Sequence, residues 1–337
     1  MGKSWTPGRV NLIGEWIDFN GGWVLPAALP LGVEITVTPH REALDRVCSA
    51  QFDNRAEAPL NTPARGHWAD YVFGALQAAR REGYLAGGAN VEVTSDIPAG
   101  AGVSSSAAVT LGVLKAVAPE TTCRTHLAKL ARGVENNFIG VPCGIMDQMA
   151  VAHTLPGEAL SLNTRTLDFD RVAIPPDWRF VVLHSGVTRK LADGRYKLRR
   201  EACLEAARAV ELDWLCDADD ISDLPASLRP IARHVIDENH RAKAAIKALR
   251  AGEAEKFGAL MTASHVSLRD DFDVSTPEVD ALVASAVDRG ALGARITGAG
   301  FGGCCVLLLP GSMGQDWLDP LLNDHPAARL ICELERV

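Results

Sequence analysis

One stretch constrains this chain more than any other: Gly8-Arg9-Val10-Asn11-Leu12-Ile13-Gly14-Glu15-Trp16-Ile17-Asp18-Phe19-Asn20-Gly21-Gly22. It sets Arg, Glu, Asp and two Asn among four glycines, with apolar residues at short spacing. A surface loop has no need of that apolar punctuation, and a core strand does not tolerate so many charges. A strand that runs into a turn and presents polar side chains to a pocket requires both.

The chain around it has 337 residues, enough for one large or two ordinary domains with real cores. A net charge of -8 argues against a nucleic-acid surface and offers no basic stripe to a membrane, so neither partner is expected. The apolar runs, such as Cys304–Pro310, are too short to span a bilayer. The N-terminus lacks the charged and apolar regions of a signal peptide. The eight cysteines show no paired C-x-x-C spacing, which speaks against zinc and for a reduced, cytoplasmic setting.

Strands are expected within residues 24–38, a polar connection over 51–66, a helix over 68–82 and a strand over 90–95. Helices follow over 107–117 and 125–139, the second ended by Gly140. Residues 155–175 read as short strands and turns, and the change of composition there places a domain boundary, giving domains 1–165 and 166–337. Beyond it we expect a buried strand at 179–185, helices over 196–210, 229–250 and 254–269, a polar stretch at 213–223, and a glycine-rich segment leading into the strongest apolar strand.

Three places carry chemistry. Residues 98–108 follow a strand and precede an Ala-rich helix; their glycines let backbone approach a ligand, and Ser104, Ser105 and Ser106 lie at the helix start. Orphan amides and the helix dipole there suit an anion, and the hydroxyls suit a hydrated metal ion; serine capping alone would also account for them. Asp147 stands among Ile, Met, Gln, Met and Ala, so it either caps a helix or works. Glu135 lies twelve residues earlier, on a helix face. Two motifs are decoys. Gly2-Lys3-Ser4 lacks the upstream glycine of a P-loop, and Gly298-x-Gly300-x-x-Gly303 precedes a strand where a dinucleotide fingerprint follows one.

Taken together, three segments resemble one family. Residues 8–22 with Val24-Leu25-Pro26 resemble the galactokinase signature. Residues 98–108 resemble the phosphate motif of the galactokinase, homoserine, mevalonate and phosphomevalonate kinases, and Arg295-Ile-Thr-Gly-Ala-Gly-Phe-Gly-Gly-Cys resembles their C-terminal glycine motif. Trp68-Ala-Asp-Tyr-Val, Pro142-Cys-Gly-Ile-Met-Asp-Gln, Arg233-His-Val-Ile-Asp-Glu-Asn and Ser264-His-Val-Ser-Leu-Arg-Asp-Asp match in the same order.

The resemblance implies an α+β, two-domain small-molecule kinase fold. Its N-terminal domain would be like ribosomal protein S5 domain 2 and its C-terminal domain ferredoxin-like, with the active site in the cleft between them. It implies ATP and Mg²⁺ as cofactors, a sugar as substrate, a monomer, and transfer of phosphate to the anomeric hydroxyl of galactose. Asp147 would strip or position that hydroxyl, and Arg9 would pair with Asp147 and stabilise the transferring phosphoryl. Glu15, Trp16, Asp18, Gly144, Asp147 and Tyr196 would bind the sugar. Pro98, Gly100, Ala101, Gly102, Val103, Ser104, Ser105 and Ser106 would cradle the phosphates, and Trp68 would lie near adenine. Ser105 or Ser106, with Glu135, would hold Mg²⁺.

The chain departs from the family at one point. Galactokinases usually carry Glu-His-Thr-Asp-Tyr-Asn where this chain has Glu15-Trp16-Ile17-Asp18-Phe19-Asn20. Indole is larger than imidazole and has one donor and no acceptor. Either Glu15 alone holds the C6 hydroxyl of galactose, or Trp16 selects a sugar altered at C6, such as L-arabinose. A sugar- and ATP-binding sensor without turnover is a third reading, opposed by the intact Arg9 and Asp147.

Overall fold

The chain opens on β1 (Gly2–Asn11), whose residues are all buried from Thr6 onward. The computed structural model describes residues 1–51, 54–188 and 194–335. In chain order β1 is followed by β2 (Trp23–Val24), β3 (Pro26–His40), β4 (Leu44–Ser49), β5 (Asn54–Pro59), α1 (Asp70–Arg81), β6 (Gly88–Ser95), α2 (Ser105–Val117) and α3 (Arg124–Gly133). A π-helical turn (Val134–Ile139) then leads through Gly140 to α4 (Met146–His153). Next come β7 (Glu158–Asn163), β8 (Phe169–Ala173), β9 (Trp178–His184), α5 (Arg195–Ala209), α6 (Arg229–Ala251), α7 (Ala254–Asp270) and α8 (Pro277–Asp288). The last elements are β10 (Gly293–Ile296), β11 (Cys304–Pro310), α9 (Leu318–Asp324) and β12 (Arg329–Glu333).

These elements form two compact units. The first comprises Met1–Arg9, Pro30–Ala99 and Ser104–Thr154. In it β1 pairs with β3, β3 with β6, β6 with β4 and β4 with β5, the β4–β6 pair being parallel. Strand β6 alternates buried and exposed residues, as a sheet with one covered face requires. Helix α2 packs tightly on this sheet. Ser4 Oγ donates to Gly112 O and Thr6 Oγ1 to Ala108 O, at 2.6 and 2.8 Å. A Cβ on Gly112 would stand 2.8 Å from Ile35, so only glycine permits that approach.

The second unit comprises Val10–Leu29, Gly100–Val103 and Leu155–Val337. Here β2 pairs with β7, β7 with β8, and Ala27 at the start of β3 with Ala159. A separate antiparallel sheet runs β10-β11-β9-β12. Every residue of β9 is buried, and its middle, Phe180–Leu183, is a continuous apolar run. Trp178 and Phe180 from β9 meet Phe257 of α7 edge-on or tilted, with ring centroids 5.2 and 5.8 Å away.

Three expectations change. The connection over 51–66 contains β5, which closes a hairpin with β4; residues 52–53 lie outside the described residues. The helix over 125–139 is α-helical only to Gly133 and then widens into the π turn. Asp147 does not cap α4: it is the second residue of that helix, and Ile145 occupies the cap. Helix α8, which the apolar spacing alone does not announce, starts at Thr276, whose side chain accepts from Val279 N, with Pro277 next.

The Trp178–Phe180–Phe257 cluster sets the stability of its unit. Phe257→Ala is expected to cost about 3–5 kcal/mol in a urea titration. A loss below about 1 kcal/mol would mean that the three rings do not form the core of that sheet.

Candidate active site

In the first unit, Arg9 lies at the end of the strand portion that unit contains, and Asp147 in the first turn of α4. Arg9 Nε donates to Asp147 Oδ1 and Nη2 to Oδ2, both at 2.7 Å, a two-pronged pair that fixes the carboxylate plane. Arg9 is 5% exposed, while the Asp147 side chain keeps 30% of its surface. A third donor is Ser104 Oγ, 2.5 Å from Asp147 Oδ2. Ser104 precedes α2 with φ 63°, in the left-handed region that serine rarely adopts.

Glu135 sits beside this pair in the π turn, 6% exposed. Its Oε1 accepts from Gln148 Nε2 at 2.8 Å and its Oε2 lies 3.4 Å from Ser106 Oγ. Burial, then the negative charge of Asp147, pushes its pKa up to about 7. A buried carboxylate in that state, with a hydroxyl next to it, fits one ligand position of a divalent cation that takes its other ligands from phosphates and water. Among the described residues no group of three or more His, Cys, Asp or Glu is placed to hold a metal ion. Ser105 is exposed, Gly144 is buried just before α4, and Trp68 is half-buried beside His67 ahead of α1.

The second unit holds the other expected residues. Glu15 is 2% exposed. Its Oε1 accepts from Gly298 N at 2.7 Å and Thr297 Oγ1 at 3.0 Å, and Arg295 Nη1 lies 3.5 Å away. Among the described residues all three contacts fall on Oε1, so this carboxylate is anchored by one oxygen. The turn that carries it is demanding: Gly14 has φ 101° and Trp16 φ 67°. Trp16 is 4% exposed, its ring centroid 4.7 Å from Tyr196 and 5.0 Å from Phe272. Asp18 is half-buried in the same turn. Gly100 and Gly102 both have positive φ, and Cys304 Sγ donates to Ala101 O at 3.0 Å. Val103 is buried; Pro98, ahead of these glycines in sequence, belongs to the first unit and is half-buried there. The Gly298-x-Gly300-x-x-Gly303 run is the turn between β10 and β11, with no helix after it.

Residues 70–154 match the GHMP kinases N terminal domain, residues 245–329 the GHMP kinases C terminal, and residues 4–39 the galactokinase galactose-binding signature. A galactokinase of Roseiflexus sp. (strain RS-1) is 39% identical over 322 residues, covering 90% of this chain and 82% of that protein. The chain belongs to the galactokinase family. A galactokinase of Thermococcus kodakarensis is 38% identical and is covered over 91% of its length. The crystal structure of Lactococcus lactis galactokinase complexed with galactose matches with a TM-score of 0.93 at 30% identity, covering 99% of this chain and 93% of that one. The α+β, two-domain fold expected from the sequence is therefore the GHMP kinase fold of this family.

Sequence reading of the galactokinase motifs missed several partners. It gave the amides of residues 100–106 to phosphate and did not foresee that the Ser104 hydroxyl goes to Asp147. It valued the C-terminal motif for its glycines, while Arg295, Thr297 and Gly298 hold the Glu15 carboxylate. A charged residue next to a β-branched one in a strand as apolar as Gly293–Ile296 was the available signal.

The Glu135 shift makes a signed statement about stability. Below pH 4.5 the folded and unfolded states both hold the proton, and burial costs nothing. Above about 7 both have lost it and the penalty is complete, so stability falls as pH rises between these values. Without nucleotide or divalent ion, Glu135→Gln is expected to match the wild type near its acid limit and to exceed it by up to about 3 kcal/mol at alkaline pH, read from urea midpoints. A difference independent of pH would contradict the assignment.

Proposed function

We propose that this chain is an ATP-dependent sugar 1-kinase that phosphorylates the anomeric hydroxyl of galactose, giving galactose 1-phosphate and ADP. The observation that carries the reading is the Arg9–Asp147 pair, set beside a second carboxylate and the start of α2, in a chain of the galactokinase family. Phosphoryl transfer needs alignment and charge neutralisation more than covalent help, and these residues are the types that supply both.

In this reading Asp147 accepts a hydrogen bond from the anomeric hydroxyl, and its proton as the oxygen attacks. The two prongs from Arg9 fix the direction of that acceptor. The remaining guanidinium charge faces the negative charge that builds on the transferring phosphoryl. Glu15, anchored through Oε1, turns Oε2 to a sugar hydroxyl; Asp18, Gly144 and Tyr196 complete the sugar contacts, with Trp16 backing them from inside the protein. Amides from Gly100 to Ser106, with Pro98 shaping the loop, cradle the phosphates, and Trp68 lies by the adenine. Glu135 with Ser106 or Ser105 would hold Mg²⁺, which would supply positive charge against the phosphates.

Packing around Trp16 favours galactose over a sugar without C6. The indole is enclosed by Tyr196 and Phe272, so its surface is committed to protein and not to the place of a missing C6 group. The galactose bound in the Lactococcus lactis relative supports the same substrate. For the domain boundary we propose 154/155 rather than the expected 165/166, because the first family match ends at 154, the compact unit ends there too, and β7 and β8 pair across 165/166. A cytoplasmic monomer completes the proposal; among the described residues none of the eight cysteines forms a disulfide, and no helix is long and apolar enough to cross a membrane.

Asp147→Asn preserves shape and removes the proton acceptor. ADP release with galactose and Mg-ATP is expected to fall about 10²- to 10⁴-fold, with ATP binding retained. Turnover at the wild-type rate would remove Asp147 from the chemistry. A sugar panel including L-arabinose tests the substrate: preference for L-arabinose would overturn galactose, and no ADP with any sugar would favour a sensor.

A further inference from the structure

The reaction above makes no use of a carboxylate buried more deeply than any in it. Glu238, in the middle of α6, has no exposed surface. Its Oε1 accepts from Ser264 Oγ at 2.7 Å, Gly14 N at 2.9 Å and Glu15 N at 3.3 Å; its Oε2 accepts from Arg241 Nε at 2.8 Å. Burial opposes its ionisation, but Arg241 and Arg295 outweigh that and hold its pKa at about 2. One turn earlier His234 Nε2 donates to Glu15 O at 3.2 Å while its Nδ1 accepts from Ser267 Oγ at 2.9 Å. The neighbouring Asn239 Oδ1 accepts from Trp23 N at 3.0 Å. One face of α6 therefore grips the main chain of residues 14, 15 and 23.

That grip answers a need. Gly14 and Trp16 flank Glu15 in the left-handed region, and a Cβ on Gly14 would stand 2.7 Å from Trp23 O. A non-glycine residue held at such a φ persists only where its surroundings over-determine it. A fully buried anion accepting two consecutive amides does so, because charge-assisted bonds at that depth are strong and a buried amide left unmade is costly.

We propose that Glu238 is a positioning residue for sugar recognition: it locks the Gly14–Glu15 main chain and so aims the Glu15 carboxylate. The proposal rests on the reading of Glu15 as a sugar ligand. Glu238 touches no reacting atom. Its loss loosens the sugar side of the site and spares the nucleotide side.

The test compares wild type, Glu238→Gln and the milder Ser264→Ala. Glu238→Gln sets an amide N–H against Arg241 or against the two main-chain amides. We expect KM for galactose to rise about tenfold or more, with KM for ATP within about twofold. Hydrogen exchange of the peptide spanning residues 10–22 is expected to quicken, while peptides of α2 and β9 keep their protection. Ser264→Ala, which removes one donor to Oε1, is expected to shift both readouts in the same direction by less; it decides the matter should Glu238→Gln fail to fold. Unchanged exchange at residues 10–22 would overturn the proposal, and so would a parallel rise of both KM values with loss of protection everywhere. Should the wild type release no ADP with any sugar, the kinase reading falls, and the exchange data alone still decide whether Glu238 fixes the turn.

Discussion

The Arg9–Asp147 pair is the interaction around which the buried polar side chains of the first unit gather. It joins residues 138 positions apart in sequence through two parallel hydrogen bonds. Withdrawing such a pair from water costs several kcal/mol per ion, so it is poor evidence of stabilisation. Asp147 keeps part of its surface while Arg9 has almost none, which leaves an acceptor presented on a fixed mount. Glu135 adds a second carboxylate that burial and Asp147 together make reluctant to ionise. Ser104 accepts a strained backbone in order to reach Asp147. Each of these is unfavourable alone, and together they gather two carboxylates, a guanidinium and a strained serine in one place.

A different constraint organises the second unit. Its turn at Gly14, Glu15 and Trp16 is held from two sides: the carboxylate of Glu15 by Thr297 and Gly298, and its main chain by Glu238 and His234. Buried histidine serves here as a neutral donor and acceptor. Burial, the largest influence, pulls the His234 pKa down to about 4, so it bridges Glu15 O and Ser267 without bringing a charge. The indole of Trp16 then closes the turn against Tyr196 and Phe272.

Much of this was legible in the sequence because motif and periodicity agreed there. The alternation at residues 90–95 and the apolar run at 179–185 gave β6 and β9, and the mixture of charge and glycine at residues 8–22 gave a polar turn fed by a strand. What escaped has physical causes. The β4–β5 hairpin hides in polar sequence because its pairing is supplied by main chain, to which composition is blind. The π turn follows α3 without a break in apolar spacing, and its effect, bringing Glu135 to Ser106 and Gln148, is tertiary. Glu238 sits in a helix rich in charged residues; the motif Arg233–Asn239 contains it, but composition does not say whether it, Asp237 or a lysine is the one that turns inward. Only the fold shows which of them lost its water.

The most direct measurement concerns where the phosphate goes. Galactose, Mg-ATP and the purified chain can be followed by phosphorus and proton NMR. The expected product carries phosphorus coupled to the anomeric proton, with ADP formed in equal amount. Phosphate found on any other carbon, or ATP consumed with no phosphorylated sugar, would contradict the assignment of Asp147 and Arg9 to the anomeric hydroxyl.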